Sequence, residues 1–200
     1  IKVINEIARP VACIAVEELP LELGTLPVVT PAKLAEVFAT KATYEASENY
    51  VAGDDNFYII FTSGTTGVPK GVQISHDNLV SFNTWMQTDF GLASDGICLS
   101  QPPYSFDLSV MDLYPTLTAG RQLTVLPKET TDNFKELFAV LPKLHVSEWV
   151  STPSFMDICL LQPTFDAKNL PELTHFFFCG EELTHKTAAT LKQRFPEAKI

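Results

Sequence analysis

Short apolar runs alternate along this chain with amphipathic stretches of helical spacing, and the alternation predicts its elements. Residues 11–16 are continuously apolar between Pro10 and Glu17-Glu18, which predicts a strand buried on both faces. Further strands are predicted at 57–61, 72–75, 97–100, 122–126, 146–150 and 174–179, with a short one at Val28-Val29 inside the proline-punctuated stretch 20–31. Residues 1–8 read as the end of a helix. Thr30 and Pro31 supply an N-cap and a first-turn proline for a helix running to about Thr40.

After the polar connection 45–56 and the strand pair, Ser75, His76, Asp77 and Asn78 open a helix. Its Leu79, Phe82, Trp85 and Met86 fall on one face, and Trp85 is read as core. Helices follow at 108–118, ending at Gly120, and at 133–141, 154–161 and 184–195. Strands alternating with helices imply an α/β fold, layered α/β/α with mostly parallel sheets and right-handed crossovers. In such sheets ligands sit beyond the carboxyl ends of the strands. Three segments qualify: the loop after Phe61, the turn after Ser100 and the turn after Phe178.

The first of these is Thr62-Ser63-Gly64-Thr65-Thr66-Gly67-Val68-Pro69-Lys70-Gly71, with three glycines, four hydroxyls and one lysine. A Ser/Thr/Gly/Pro cluster between apolar runs is ordinarily a solvated turn. Here the glycine spacing and the closing Pro-Lys-Gly favour a phosphate-binding loop. Glycines admit backbone N–H groups to an anion, hydroxyls add donors without bulk, and Lys70 supplies compact charge. The pattern differs from the Walker loop, because Lys70 follows proline and leads into a strand.

Composition narrows the possibilities. With 46% hydrophobic and 19% charged residues, the 200-residue chain is ordinary globular material for one or two lobes. A net charge of -10 excludes a basic nucleic-acid-binding face. No apolar run approaches the ~20 residues of a membrane-spanning helix, so no membrane insertion and a cytoplasmic location are expected. Cys13, Cys98, Cys159 and Cys179 are scattered and lack metal-binding spacing, which suits buried thiols in a reducing compartment. His76 reads as a helix-opening residue. His145, His175 and His185 have no acid, nucleophile or metal partner at useful spacing. No residue is put forward as a catalytic group or a metal ligand. The first and last residues, 1–3 and 198–200, fall inside a helix and a strand, which predicts that the chain is part of something longer.

Residues 62–71 resemble the signature loop of the adenylate-forming enzymes, the superfamily of acyl-CoA synthetases, luciferases and peptide-synthetase adenylation domains. Tyr104-Ser105-Phe106-Asp107-Leu108-Ser109 is similar to that superfamily's acyl-pocket motif in its amino-acid-activating form, and Phe178-Cys179-Gly180-Glu181-Glu182-Leu183 to its adenine-side turn. Together with Pro102-Pro103 and Ser151-Thr152-Pro153-Ser154-Phe155, these segments resemble the branch that activates D-alanine and loads it onto a carrier protein for teichoic acids.

The resemblance implies that Thr62, Ser63, Gly64, Thr65, Thr66, Gly67 and Lys70 hold the β- and γ-phosphates of ATP, accompanied by Mg2+. It implies that Asp107 pairs with the substrate ammonium, as a buried carboxylate whose loss costs about 3–5 kcal/mol. From the residues alone, the alternative is that Asp107 is merely the N-cap of the helix it precedes. Cys179 lines the methyl side of the pocket, Gly180, Glu181 and Glu182 present backbone to adenine, and Thr152-Pro153-Ser154 form the far wall. Implied partners are D-alanine, ATP and a phosphopantetheinylated D-alanyl carrier protein.

On the same resemblance, residues 1–200 are an incomplete N-terminal adenylation (AMP-binding) domain. The aromatic-Gly-Pro-Thr-Glu segment, the ribose-binding Asp and the small C-terminal domain with its lysine are absent, so the fragment alone is expected to be inactive or nearly so. Two other readings stay open: an adenylation domain for another amino acid, and a nucleotide-binding or structural fragment without catalysis.

Overall fold

A computed structural model describes residues 2–19, 23–41, 50–62 and 67–200, so part of the polar connection at 45–56 and the tip of the glycine-rich loop lie outside the described residues. The chain divides into two compact units, residues 1–77 and 78–200.

The first unit contains α1 (Lys2–Ala8), β1 (Cys13–Ile14) paired in parallel with β2 (Val28–Val29), α2 (Pro31–Ala39) and an antiparallel hairpin of β3 (Asn56–Thr62) and β4 (Lys70–Ser75). Thr30 caps α2 as expected, its hydroxyl accepting from the Lys33 N–H at 3.3 Å, with Pro31 in the first turn. The expectation of a doubly buried strand at 11–16 is corrected. Only two residues are strand, Val11, Ile14 and Val16 are 93%, 68% and 77% exposed, and Ala15 alone is buried. Apolarity marks what can be buried, whereas burial needs a covering layer, and none of the described helices of this unit supplies one. In the hairpin, Thr62 pairs with Lys70 and Phe61 with Gly71. A side chain at Gly71 would meet Ile59 Cγ2 at 3.0 Å and Phe61 Cζ at 3.2 Å, so a larger residue here would press on the side chains of β3.

The second unit is built on a four-stranded, wholly parallel sheet in the order β6-β5-β7-β8: β5 (Ile97–Ser100), β6 (Gln122–Val125), β7 (Glu148–Ser151) and β8 (His175–Phe178). Its helices are α3 (His76–Asp89), α4 (Leu108–Thr118), α5 (Lys128–Asp132), α6 (Phe134–Val140), α7 (Pro153–Cys159) and α8 (His185–Arg194). Alternate strand residues go to opposite faces. Leu99, Trp149 and Phe176 join Leu137, Met156, Phe165, Leu191 and Phe195 in one core, while Val150 and Phe177 meet Met86 and Leu108 in another. With both faces covered, every residue of β7 is buried, including Glu148 and Ser151 at its two ends.

Three details depart from expectation. The polar segment Lys128–Asp132 forms α5, with Thr130 and Thr131 buried. The seventh strand starts at Glu148, not at 146. Trp85 is 46% exposed, lying edge-on to Phe90 with ring centroids 4.8 Å apart, because neighbouring helical positions diverge by about 100° and it is the adjacent Met86 that is buried.

Candidate functional site

The carboxyl ends of the adjacent strands β5, β7 and β8 open into a cleft of about 390 Å³. From β5 the chain passes through Gln101, Pro102 and Pro103, and the Phe106 N–H donates to Pro103 O at 3.0 Å to close a turn. Asp107 then occupies the N-cap position of α4. Its backbone is already helical (φ -64°, ψ -15°) and its carboxylate makes no capping hydrogen bond. The helix-cap alternative is therefore set aside, since a capping residue needs extended geometry to aim its oxygen at the first-turn amides. Ser109 is tied back instead, donating from Oγ to Phe106 O at 2.7 Å.

After β7, Thr152 caps α7, accepting from the Phe155 N–H at 3.3 Å. After β8 come Cys179 and Gly180, the latter at φ +86° with open space where a side chain would be, so the turn needs a left-handed residue rather than a small one. Asp107, Thr152, Phe155, Cys179, Gly180 and Glu181 all line the cleft.

The electrostatics do not favour a nucleophilic thiol. Burial, reinforced by the charge of Asp107, pushes the Cys179 thiol up, away from the reactive thiolate. Cys98 and Cys159 are buried and pushed up to about 12, chiefly by desolvation. Asp107 itself is exposed, which corrects the expectation of a buried carboxylate. It stands on the rim of the cleft, where water still reaches it. The Glu181 side chain is engaged: its carboxylate accepts from the Ser154 N–H at 3.1 Å and from Ser154 Oγ at 2.9 Å. Glu182 is exposed and outside the lining.

Gln101 also lines the cleft, its Oε1 accepting from Ser151 Oγ at 3.1 Å. Sequence reasoning passed over Gln101, although its place directly after a strand and before two prolines was a usable signal. None of the four histidines lines the cleft. His145 does have an acidic partner, Glu172, with Nδ1 to Oε1 at 3.1 Å. Both side chains are largely exposed, and their separation along the chain hid the pair from spacing arguments. Among the described residues no group of three or more His, Cys, Asp or Glu could hold a metal.

In the first unit, the hairpin register sets Thr62 opposite Lys70, both exposed, and Gly67 has φ +78°. Ser63, Gly64, Thr65 and Thr66 lie outside the described residues. In the second unit, Arg121 and Glu148, the first residue of β7, form an ion pair with side chains 2% and 3% exposed. Nearby, the fully buried Asp112 has no hydrogen-bond partner on either oxygen among the described residues. No sequence signal had singled out these groups.

A parallel sheet wrapped by helices, with its cleft over the carboxyl edge, defines an α/β ligand-binding domain. A family model described as AMP-binding enzyme matches residues 5–200, and the chain belongs to that family. It is 68% identical over 198 residues to the D-alanine--D-alanyl carrier protein ligase of Lactiplantibacillus plantarum, covering 98% of this chain and 39% of that protein. It is 52% identical over 202 residues to the ligase of the same name from Streptococcus agalactiae, covering 100% of this chain and 39% of that protein. The chain thus spans about 39% of the length of these relatives. Among solved structures, the complex of VinN with L-aspartate aligns with TM-score 0.81 at 22% identity, covering 98% of this chain and 51% of that one. The N-terminal subdomain of Klebsiella oxytoca NpsA, in complex with 3-hydroxybenzoyl-AMSN, aligns with TM-score 0.77 at 20% identity, covering 99% and 48%. At such identities these two show the fold. Among the described residues no helix is long and apolar enough to cross a membrane.

Proposed function

We propose that this chain is part of the large N-terminal adenylation domain of an enzyme that activates D-alanine with ATP and transfers it to the phosphopantetheine thiol of a D-alanyl carrier protein in the cytoplasm. The observation that carries the reading is the meeting of Asp107 and Cys179 on one cleft at the carboxyl ends of the sheet. The identity to ligases of that name supports the choice of substrate.

In this reading the substrate carboxylate attacks the α-phosphorus of ATP, the bond to the β-phosphate breaks, and pyrophosphate leaves. The carrier thiolate then attacks the acyl carbon and AMP departs. Asp107 holds the substrate ammonium at the rim of the cleft. Cys179 borders the methyl group, where its modest bulk and neutral thiol suit a small apolar side chain. Thr152 and Phe155 form the facing wall, and the backbone of Gly180 to Glu182 faces the adenine. Thr62, Ser63, Gly64, Thr65, Thr66, Gly67 and Lys70 hold phosphate oxygens, since phosphoryl-type chemistry asks of protein mainly positioning and charge stabilisation. Mg2+ accompanies the ATP phosphates and is not assigned to a ligand cluster of this chain.

Amino-acid-dependent ATP–pyrophosphate exchange by the full-length protein tests the reading. D-Alanine is expected to support exchange. Exchange with L-phenylalanine or a fatty acid in its place would overturn the choice of substrate, and absence of ATP binding at millimolar concentration would overturn the enzyme reading.

A further inference from the structure

Two carboxylates line the cleft, and the structure treats them differently. Asp107 makes no cap bond and no ion pair among the described residues. Both oxygens of Glu181 are engaged by one residue on the facing wall, Ser154, through its backbone N–H and its hydroxyl. Thr152 Oγ1 already serves the Phe155 N–H, so the amide of Ser154 is a first-turn donor of α7 that Glu181 satisfies from outside the helix. A second carboxylate ties α7 to α8, the helix that follows the turn: Asp157 on α7 accepts from Thr187 Oγ1 at 2.6 Å, and the Thr187 N–H donates to Oγ1 of the α8 cap residue Thr184 at 3.1 Å. The turn between Gly180 and Thr184 is thereby held against α7 at both of its ends.

We infer that Glu181 is a positioning residue for the amino-acid side of the site, holding the Cys179–Gly180 turn against the Thr152–Phe155 wall through Ser154. This inference rests on the function proposed above. Two consequences follow. The distance between Cys179 and the facing wall is set by a two-point contact rather than by the mobility of an exposed glycine-containing turn. The Glu181 carboxylate is also spent on Ser154, which leaves Asp107 as the acceptor for a substrate ammonium. Without the clamp the turn is free to shift and a second acceptor is released into the cleft, so the substrate is held less well and in more than one pose.

The test compares E181A, E181Q, S154A and the E181A/S154A double variant in the full-length protein, using whichever amino acid supports exchange by the wild type. A wild type that responds to some amino acid other than D-alanine corrects the proposed substrate and leaves this test intact. E181A is expected to raise the KM for the amino acid about tenfold, the scale of losing a hydrogen bond to a charged group, with kcat changed less than about threefold. E181Q keeps one acceptor for Ser154 and should recover most of the loss, and S154A, which keeps the amide donor, should show a smaller rise. The double variant should be no worse than E181A, because both changes remove the same contact. Unchanged KM in E181A, a loss confined to kcat, or multiplicative effects in the double variant would each overturn the inference. Should E181A fail to fold, E181Q and S154A decide by the same KM-against-kcat comparison: an unchanged KM in both would overturn it.

Discussion

Asp107, in the turn after β5, and Cys179, directly after β8, border one cleft, and the Cys179 thiol is raised first by burial and then by the charge of Asp107. Neutralising Asp107 removes the second cause only. In D107N the pH midpoint for alkylation of Cys179 by iodoacetamide is therefore expected to fall, while staying above that of an ordinary cysteine. Mass-spectrometric rate profiles would measure it. An unshifted midpoint would mean that the two groups do not sense each other.

Because Asp107 stands at the N-cap position without capping, its roles in stability and binding should separate. D107A is expected to leave the thermal midpoint unchanged, whereas loss of a working N-cap costs about 1 kcal/mol. The KM for the amino acid should rise at least about tenfold, as for loss of a hydrogen bond to a charged group. A destabilised variant with an unaltered KM would return Asp107 to the role of a helix cap.

The buried pair Arg121 and Glu148 should be costly to break and less costly to replace whole. R121M leaves the Glu148 carboxylate buried without its partner and is expected to lose about 3–5 kcal/mol, whereas R121M/E148L should lose less. Glu148 is already pushed up by burial, with Arg121 holding it down, so removing Arg121 raises it further. The sign follows from linkage: a carboxyl raised in the folded state costs stability as pH rises past its unfolded value. The R121M deficit should thus be smaller at pH 5 than at pH 8 in urea titrations.

Asp112 gives a second pH effect of the same sign. Burial raises it from 3.8 to about 7, and the nearby Ser100 hydroxyl offsets only part of that. Below 3.8 both folded and unfolded states hold the proton. Between there and about 7 the unfolded chain releases a proton that the folded one keeps, so stability falls as pH rises, and above about 7 the fall stops. Chemical denaturation from pH 4 to 8 should show a shallower decline in D112N than in the wild type. Equal slopes would place the Asp112 titration elsewhere.

Much of the fold was legible because β5, β7 and β8 are largely buried and carry apolar residues toward both faces, while Thr30, Thr152 and Thr184 carry cap chemistry that acts over three residues. The chemistry-bearing turns were legible for a related reason. Gly180 needs a positive φ, and Asp107 follows a proline-fixed turn, and both demands are local. Exposure was not legible. Val11 and Val16 are as apolar as any core residue and lie open, and Asp107 reads as buried and is not.

The sequence by itself determined the alternation of strands and helices, the glycine-rich loop motif and the identity of the residues that end the strands, since each depends on spacing within one element or turn. Only the tertiary structure decided that β5, β7 and β8 stand side by side, so that Asp107, Thr152 and Cys179 share a cleft. It alone decided that Glu181 is consumed by Ser154, that Arg121 finds Glu148, and that Asp112 is buried. These relationships join residues distant along the chain. Their energies come from desolvation and charge, which depend on what surrounds a group rather than on its neighbours in sequence.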